Sequence, residues 1–260
     1  MIEYCCLASS SSGNCHFIKM GNTRILLDVG MSARYVVNSL RRIGEKIEDI
    51  DYCFISHGHS DHVKGLKVLK KNYNFEIFAH KTIMKVIDYL PEEEINFFNG
   101  DFNLDDISVG VIKLPHDYDS TFGFSFKYKD SKISIITDLG YAFDRLIEFI
   151  KLSDFLVIEA NHEENMVESG PYPYRLKKRI LGNRGHISNR VCANIISEAY
   201  TDAKPAFVLL AHLSETNNYP DICKLTVESE LKNSGIIANE DIIVEVASSR
   251  DVSGIYQIGG

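Results

Sequence analysis

The chain has 260 residues, of which 45% are hydrophobic and 25% charged, and its formal net charge is −8 at pH 7. A chain of this length can bury one large core, so we expect a single domain over residues 1–260. The acidic balance argues against a broadly electropositive surface but leaves room for a local basic patch. The first residues carry no basic segment before an apolar stretch, and no apolar run approaches the roughly 20 residues that span a bilayer. We therefore expect a cytoplasmic protein without membrane contact, and its six cysteines should be reduced and buried.

Short runs rich in β-branched and aromatic residues predict many strands along the chain. They cover residues 4–7, 17–20, 24–28, 52–56, 107–114, 122–128, 132–137, 155–159, 206–211 and 242–246. Helical patterns cover residues 32–42, with Ser32 as a possible N-cap, and residues 63–71, 82–89, 143–150, 188–199 and 222–232. This order of strands and helices predicts an α/β fold with two packed sheets flanked by helices.

A dense group of metal-binding side chains follows the predicted strand at residues 52–56. His57, His59, Asp61 and His62 lie within six residues, and such nitrogen and oxygen donors suit zinc, iron or manganese. His57 and His59 point the same way in an extended chain, while Asp61 and His62 follow as the chain turns into a helix. The alternative is a solvated polar loop in which Asp61 caps the helix.

Further ligands of a two-metal site are expected where other strands end. His116 follows one predicted strand, and Asp138 follows another in a position that suits a bridging carboxylate. The last ligand is contested between His186 and His212. We assign the metal to His212 because it follows an apolar strand, whereas His186 precedes a helix in a basic neighbourhood. His186 is therefore a candidate for donating a proton or holding a phosphate oxygen, or it is a plain turn histidine.

A basic segment over residues 171–197 is the second unusual feature. It contains no Asp or Glu but includes Arg175, Lys177, Lys178, Arg179, Arg184 and Arg190. Such residues can neutralise backbone phosphates, and Tyr172 and Tyr174 could stack on a terminal base. The alternative is a solvated basic helix face. Asn161 and His162, which follow the predicted strand at 155–159, are candidates for contacting substrate or orienting a ligand.

The spacing His57-x-His59-x-Asp61-His62 resembles the HxHxDH signature of metallo-β-lactamase-fold hydrolases. That resemblance implies a four-layer αββα sandwich and places the later ligands of the superfamily on His116, Asp138 and His212. One metal ion would then take His57, His59 and His116, and the other Asp61, His62 and His212, with Asp138 bridging them. The implied cofactors are two divalent ions of zinc, manganese or iron.

Several further segments are similar to the WalJ/YycJ family of that superfamily. They are residues 7–14, 158–162, 170–173, 185–189 and 211–214, together with Asn217 and Asn218. The resemblance runs nearly end to end and implies an exonuclease that degrades duplex DNA from the 5′ end, with a preference for manganese. Ser10 departs from the family, which has glycine there. If that position needs a positive φ, serine would cost about 1 kcal/mol.

Taken together, these features predict a phosphodiester hydrolase whose substrate is the end of a DNA duplex. A hydroxide shared by two metal ions would attack the phosphorus, with His186 and Asp61 as the catalytic residues. Substrate would be bound by Asn161, His162, Tyr172, Arg175, Lys178 and Arg184. A thioester or lactone hydrolase and a non-catalytic metal-binding protein also fit the ligand set. The basic segment and the additional histidine favour the nuclease.

Overall fold

A computed structural model describes residues 1–249 and 251–259 of the chain. The strands are β1 (Ile2–Ser10), β2 (Gly13–Met20), β3 (Thr23–Leu27), β4 (Tyr52–Ile55), β5 (Glu76–Ala79), β6 (Ile95–Phe97), β7 (Phe102–Leu104), β8 (Ile107–Leu114), β9 (Thr121–Tyr128), β10 (Ser131–Ile136), β11 (Phe155–Glu159), β12 (Phe207–Ala211), β13 (Ile243–Val246) and β14 (Tyr256–Ile258). The helices are α1 (Ala33–Arg42), α2 (Ser60–Val63), α3 (Leu66–Asn72), α4 (Asp144–Ile150), α5 (Glu164–Ser169), α6 (Tyr174–Ile180), α7 (Asn189–Ala199) and α8 (Pro220–Asn233).

The strands form two seven-stranded sheets that change from antiparallel to parallel pairing part-way across. The first has the order β14-β1-β2-β3-β4-β5-β6, antiparallel up to β3 and parallel from β3 to β6. The second has the order β7-β8-β9-β10-β11-β12-β13, antiparallel up to β10 and parallel from there. Parallel strands end at the same edge of their sheet, so the loops after β3, β4, β10, β11 and β12 can carry neighbouring functional residues.

Three layers of buried side chains hold the sheets and helices together. The central layer lies between the sheets and contains Tyr4, Phe54, Phe124 and Phe126, all fully buried. A second layer packs α1 and α3 on the outer face of the first sheet, and a third packs α4, α7 and α8 on the second. The result is a helix–sheet–sheet–helix sandwich, which confirms the predicted fold class.

Every predicted strand coincides with a strand of the structure, but four strands were not predicted. These are β5, β6, β7 and β14. The predicted helix over residues 82–89 is wrong, because only a 3-10 turn at Lys81–Lys85 forms there. Its β-branched residues Thr82, Ile83, Val86 and Ile87 disfavour a continuing α-helix. The predicted N-cap of α1 is confirmed, since the Ser32 side chain accepts a hydrogen bond from the Tyr35 amide.

Two smaller expectations concern the cysteines and the membrane. All six cysteines are free and buried, as expected. Across residues 1–249 and 251–259, the structure has no helix with the length and apolar character needed to cross a bilayer.

Candidate metal centre

The candidate ligands meet because their strands end at one edge of the sandwich. His57 follows β4 in the first sheet, and Asp138 and His212 follow β10 and β12 in the second. His116 follows β8, which runs in the same direction as β10 because β9 is antiparallel to both. The short helix α2 brings in Asp61 and His62. The centre therefore lies across both sheets.

Three residues of this edge adopt the left-handed backbone conformation. The φ angles are 59° at Asp28, 61° at Asp138 and 56° at His212. Each residue stands just past the end of a strand, where the turn directs its side chain into the cleft between the sheets. A non-glycine residue held in this conformation costs on the order of 1–3 kcal/mol, so the surrounding structure must enforce it.

The donor atoms form overlapping clusters whose members lie within 4.8 Å of one another. The clusters are His57, His59 and His116; Asp61, His62 and His212; His57, His62 and Asp138; and Asp138, Glu159, His186 and His212. All seven predicted ligands belong to these clusters. Both contested histidines belong to the cluster with Asp138 and Glu159, but His212 alone also joins Asp61 and His62.

Asp138 lies between the two histidine-rich clusters. Its Oδ2 is 3.1 Å from His62 Nε2, and its Oδ1 is 3.5 Å from His116 Nε2 and 3.8 Å from His212 Nε2. Asp61 faces the same space, with its Oδ2 3.4 Å from His62 Nε2 and 3.8 Å from His212 Nε2. This is the arrangement that a shared carboxylate needs in order to contact two neighbouring cations.

A second layer of polar groups holds four of the imidazoles through the nitrogen that faces away from the centre. The pairs are His57 Nδ1 with Ser56 Oγ at 3.0 Å, His62 Nδ1 with Asp28 Oδ2 at 2.7 Å, His116 Nδ1 with the Gly185 carbonyl at 3.1 Å, and His212 Nδ1 with Glu159 Oε2 at 2.9 Å. His59 Nε2 lies 3.5 Å from Asp117 Oδ1, which is also 3.2 Å from His116 Nε2. Metal-binding histidines are commonly oriented in this way, because the outer acceptor fixes the ring and its tautomer.

Glu159 connects the contested histidines. Its Oε2 is 2.9 Å from His212 Nδ1 and 3.1 Å from His186 Nδ1, and it accepts a hydrogen bond from the Asp138 amide. The side chain is completely buried. Burial alone would raise the pKa of Glu159, but the neighbouring His186 and His212 outweigh it and lower the pKa to about 2.

The buried carboxylates of the site shift the pKa values of the groups around them. Burial opposes ionisation of Asp138, yet His212 and His62 hold its pKa well below the ordinary value. Burial likewise opposes protonation of His212, but Asp138, Asp61 and Glu159 raise its pKa to about 10. These opposite shifts mark a buried site whose carboxylates favour a neighbouring positive charge.

Several buried polar atoms at the centre have no hydrogen-bond partner among the described residues. They include Asp138 Oδ2, His212 Nε2 and Asp117 Oδ1. Buried polar atoms are rarely left in this state, and here they point into a space surrounded by nitrogen and oxygen donors. The donor set therefore fits divalent metal ions of the zinc, manganese and iron group.

Comparison with known proteins agrees with this geometry. A family model described as the metallo-β-lactamase superfamily matches residues 10–161, more than half of the chain. The chain belongs to this superfamily. It is 30% identical to exodeoxyribonuclease YycJ of Bacillus anthracis over 92% of both chains, and 30% identical to exodeoxyribonuclease WalJ of Streptococcus pneumoniae over 98% of both. The metallo-β-lactamase fold protein YhfI from Bacillus subtilis superposes with a TM-score of 0.74 at 16% identity, covering 99% of both chains. The resemblance inferred from the sequence is thus confirmed.

A pocket of about 280 Å³ opens beside the candidate metal centre. Its walls include Asn161, Tyr172, Arg179 and His186, together with the hydroxyl-bearing residues Ser11, Ser12, Ser214 and Thr216. Asn161 also donates a hydrogen bond from Nδ2 to the His212 carbonyl at 2.9 Å. Three predicted functional residues, Asn161, Tyr172 and His186, therefore share one pocket.

The other predicted substrate-binding residues lie outside this pocket. Arg175, Lys178 and Arg184 are exposed on α6 and on the loop that follows it. His162 is buried, and burial lowers its pKa to about 4. It is held by its backbone, because its carbonyl accepts a hydrogen bond from the Asn189 amide.

Three carboxylates of the centre, Asp28, Asp117 and Glu159, were not predicted from the sequence. A signal existed in each case, since Asp28 and Glu159 close predicted strands and Asp117 follows His116 directly. Their function depends on which imidazole each one meets, and that is set by the packing of the two sheets.

Ser10, the residue that departs from the WalJ/YycJ pattern, is not strained. It lies at the end of β1 and is absent from the described residues with positive φ. Its hydroxyl accepts a hydrogen bond from the Ser12 amide at 3.1 Å. The condition for an energetic cost is therefore not met.

Proposed function

We propose that this chain is a metal-dependent phosphodiester hydrolase, folded as one domain, that degrades duplex DNA from the 5′ end. The observation that carries the proposal is the pair of histidine clusters with Asp138 between them, flanked by a polar pocket and a basic helix. The names of the two exodeoxyribonuclease relatives support the choice of DNA. Because one fold serves many chemistries, the DNA substrate is inferred from these relatives, which are 30% identical to this chain.

The first metal ion would be held by His57, His59 and His116, and the second by Asp61, His62 and His212. Asp138 would contact both. Divalent ions in such a site would activate water near neutral pH and offset the negative charge that develops on the phosphate oxygens. The outer partners Asp28, Ser56, Asp117 and Glu159 would keep the imidazoles in place while substrate enters.

His186 is the proposed proton donor to the leaving oxygen. Glu159 holds its Nδ1, so Nε2 is the nitrogen left to serve the pocket that the ring lines. Asp61 is partly exposed, with 21% of its side-chain surface accessible, and it faces the same space as Asp138. We assign it a catalytic role, orienting the attacking water, in addition to binding metal.

Substrate contacts would extend from the pocket to the surface. Tyr172 and Asn161 would contact the terminal nucleotide, with His162 supporting that wall from behind. Arg175, Lys178 and Arg184 form no ion pair with any described residue and would contact phosphates of the duplex outside the pocket. Because such contacts release counterions, DNA binding should weaken as salt is added.

The test is digestion of linear 5′-phosphorylated duplex DNA, labelled on one strand, by protein purified without chelator and supplied with manganese. Wild-type protein should shorten the strand progressively from the 5′ end, and Asp138→Ala should not. Asp88→Ala, which removes an exposed carboxylate far from the clusters in sequence, is the matched control and should behave as wild type.

Metal content must be measured in the same samples. If the wild-type protein binds metal but leaves DNA intact with manganese, zinc and iron, the nuclease proposal is wrong. A thioester or lactone hydrolase would then become the leading function, to be tested with those substrates on the same preparation.

A further inference from the structure

The basic residues of the segment 171–197 differ in what they contact. Lys177 donates to the Glu168 carbonyl at 2.7 Å, and Arg190 pairs with Glu164 at 2.7 Å. Arg179 alone among the basic residues of this segment lines the pocket beside the metal centre. It is therefore distinguished from its neighbours on α6 by position.

Arg179 is fixed in this position by Asp117. Its Nε donates to Asp117 Oδ2 at 2.6 Å, and its Nη2 contacts the same oxygen. The other oxygen, Asp117 Oδ1, is buried without a hydrogen-bond partner among the described residues and lies 3.2 Å from His116 Nε2 and 3.5 Å from His59 Nε2. A single carboxylate thus links the guanidinium to two candidate ligands.

The remaining donors of Arg179 are available to a ligand. Nη1 has no hydrogen-bond partner in the described part of the chain. The Arg179 side chain has a relative solvent accessibility of 57%, so a ligand can reach this nitrogen. Hydroxyl groups of Ser11, Ser12, Ser214 and Thr216 line the same pocket, as does the acidic Glu215, to which Ser12 Oγ donates at 3.4 Å. A guanidinium beside several hydroxyl groups matches the acceptor oxygens of a phosphate.

We propose that Arg179, positioned by Asp117, binds a phosphate group of the substrate in this pocket beside the metal centre. The inference rests on the proposed phosphodiester hydrolase function and adds the residue that recognises the phosphate. The exposed charges of α6, such as Lys178, remain outside the pocket and act on the duplex at longer range.

The test measures binding of inorganic phosphate to metal-loaded protein by equilibrium dialysis, without any turnover. Arg179→Ala should weaken phosphate binding about tenfold, since it removes a charge-assisted contact. Lys232→Ala removes an exposed positive charge from α8, outside the pocket, and should change the phosphate affinity less than twofold. Arg179→Lys keeps the charge but loses the planar fork, so its affinity should lie between those of wild type and Arg179→Ala.

Several results would overturn the proposal. They are undetectable phosphate binding by metal-loaded wild type, equal affinity of Arg179→Ala and wild type, or an equal loss in Lys232→Ala. Melting temperature and metal content are recorded for each variant, and Arg179→Lys decides the question if Arg179→Ala unfolds. If wild type binds phosphate through Arg179 but does not degrade DNA, the proposed nuclease function fails while the phosphate site stands.

Competition identifies the source of the phosphate. Displacement by a 5′-phosphorylated oligonucleotide but not by its 5′-hydroxyl counterpart would support a terminal phosphate, and displacement by both would support an internal phosphodiester. Displacement by neither would contradict a role in binding this substrate.

Discussion

At the scale of single residues, the centre depends on carboxylates that stand behind the imidazoles. Asp28 is the clearest case, because it accepts hydrogen bonds from the Ser56 amide and hydroxyl at 2.8 Å each and lies 2.7 Å from His62 Nδ1. It is almost fully buried, with 2% of its surface exposed. Its charge therefore acts on the second histidine cluster through His62, although Asp28 itself belongs to none of the donor clusters.

Asp28→Asn should lower metal affinity while the fold persists. The amide keeps the shape of the side chain but removes the negative charge that orients His62, a change that typically costs about 10–100-fold in metal binding. Titration of the chelated protein with zinc or manganese measures the effect, with Asp88→Asn as the exposed control. Unchanged affinity in Asp28→Asn would show that Asp28 only supports the loop.

His16 provides a prediction about pH. Its Nδ1 is 2.9 Å from the Tyr4 hydroxyl, and burial, assisted by His62 and His212, lowers the pKa of His16 to about 3. Below about pH 6.5, His16 therefore binds a proton in the unfolded chain but stays neutral in the folded chain. Stability contributed by neutral His16 is present above that pH and is lost as the pH falls from 6.5 towards 3.

His16→Gln should flatten this dependence. The wild-type protein should lose about 2 kcal/mol of unfolding free energy between pH 7 and pH 5 through this residue, and the variant should lose correspondingly less. Denaturant titrations of chelated protein at several pH values provide the comparison. Parallel pH profiles for the two proteins would contradict the assignment.

At the scale of elements, the loop after β3 is packed against the start of α2 with no spare room. A Cβ atom on Gly30 would lie 1.5 Å from the Asp61 carbonyl oxygen and 2.8 Å from the Asn14 amide. The Gly30 amide also donates to the Asn14 carbonyl at 2.8 Å. This contact sets the position of the backbone that carries Asp61.

Gly30→Ala should therefore impair both stability and metal binding. Displacing backbone in a packed site costs about 1–3 kcal/mol, and the shift would move Asp61 away from His62 and His212. Thermal unfolding with and without metal measures both effects. Gly254→Ala, where a Cβ would meet nothing within 4 Å, is the matched control. A Gly30→Ala protein with wild-type metal affinity would refute the link between this loop and Asp61.

At the scale of the whole molecule, the candidate ligands join the two sheets. His57, His59, Asp61 and His62 come from the first sheet and its loops, whereas His116, Asp138 and His212 come from the second. A metal ion bound by both sets can form its full coordination only when the sheets are packed together. Metal binding and sheet packing should therefore be linked thermodynamically.

Metal at 100 times its dissociation constant should stabilise the protein by about 2.7 kcal/mol, the value expected for a ligand that binds only the folded state. Chelation should remove this increment, and Asp138→Ala should show much less of it. Calorimetric unfolding at increasing metal concentration tests the prediction. A melting temperature that does not respond to metal, in wild-type protein shown to bind it, would contradict the linkage.

The sequence predicted the sandwich and the ligand set because both depend on local patterns. Long apolar strands such as β8 and β11 are visible as runs, and the candidate ligands follow such runs. β6, β7 and β14 were missed because each has three residues and lies at a sheet edge, where little alternation develops. Asp28 and Asp117 could not be assigned, and Arg179 was predicted only as one of several basic residues, because each meets its histidine or carboxylate through contacts between distant segments.

The left-handed backbone of Asp28, Asp138 and His212 implies a competition between folding and chemistry at the same three positions. Glycine would suit the conformation of each residue better, yet it would supply no donor atom. A variant such as Asp138→Gly could therefore be easier to fold without metal and still be useless as a catalyst. If a library of variants of this protein were selected for thermal stability alone, these three positions would be the first at which functional side chains are replaced.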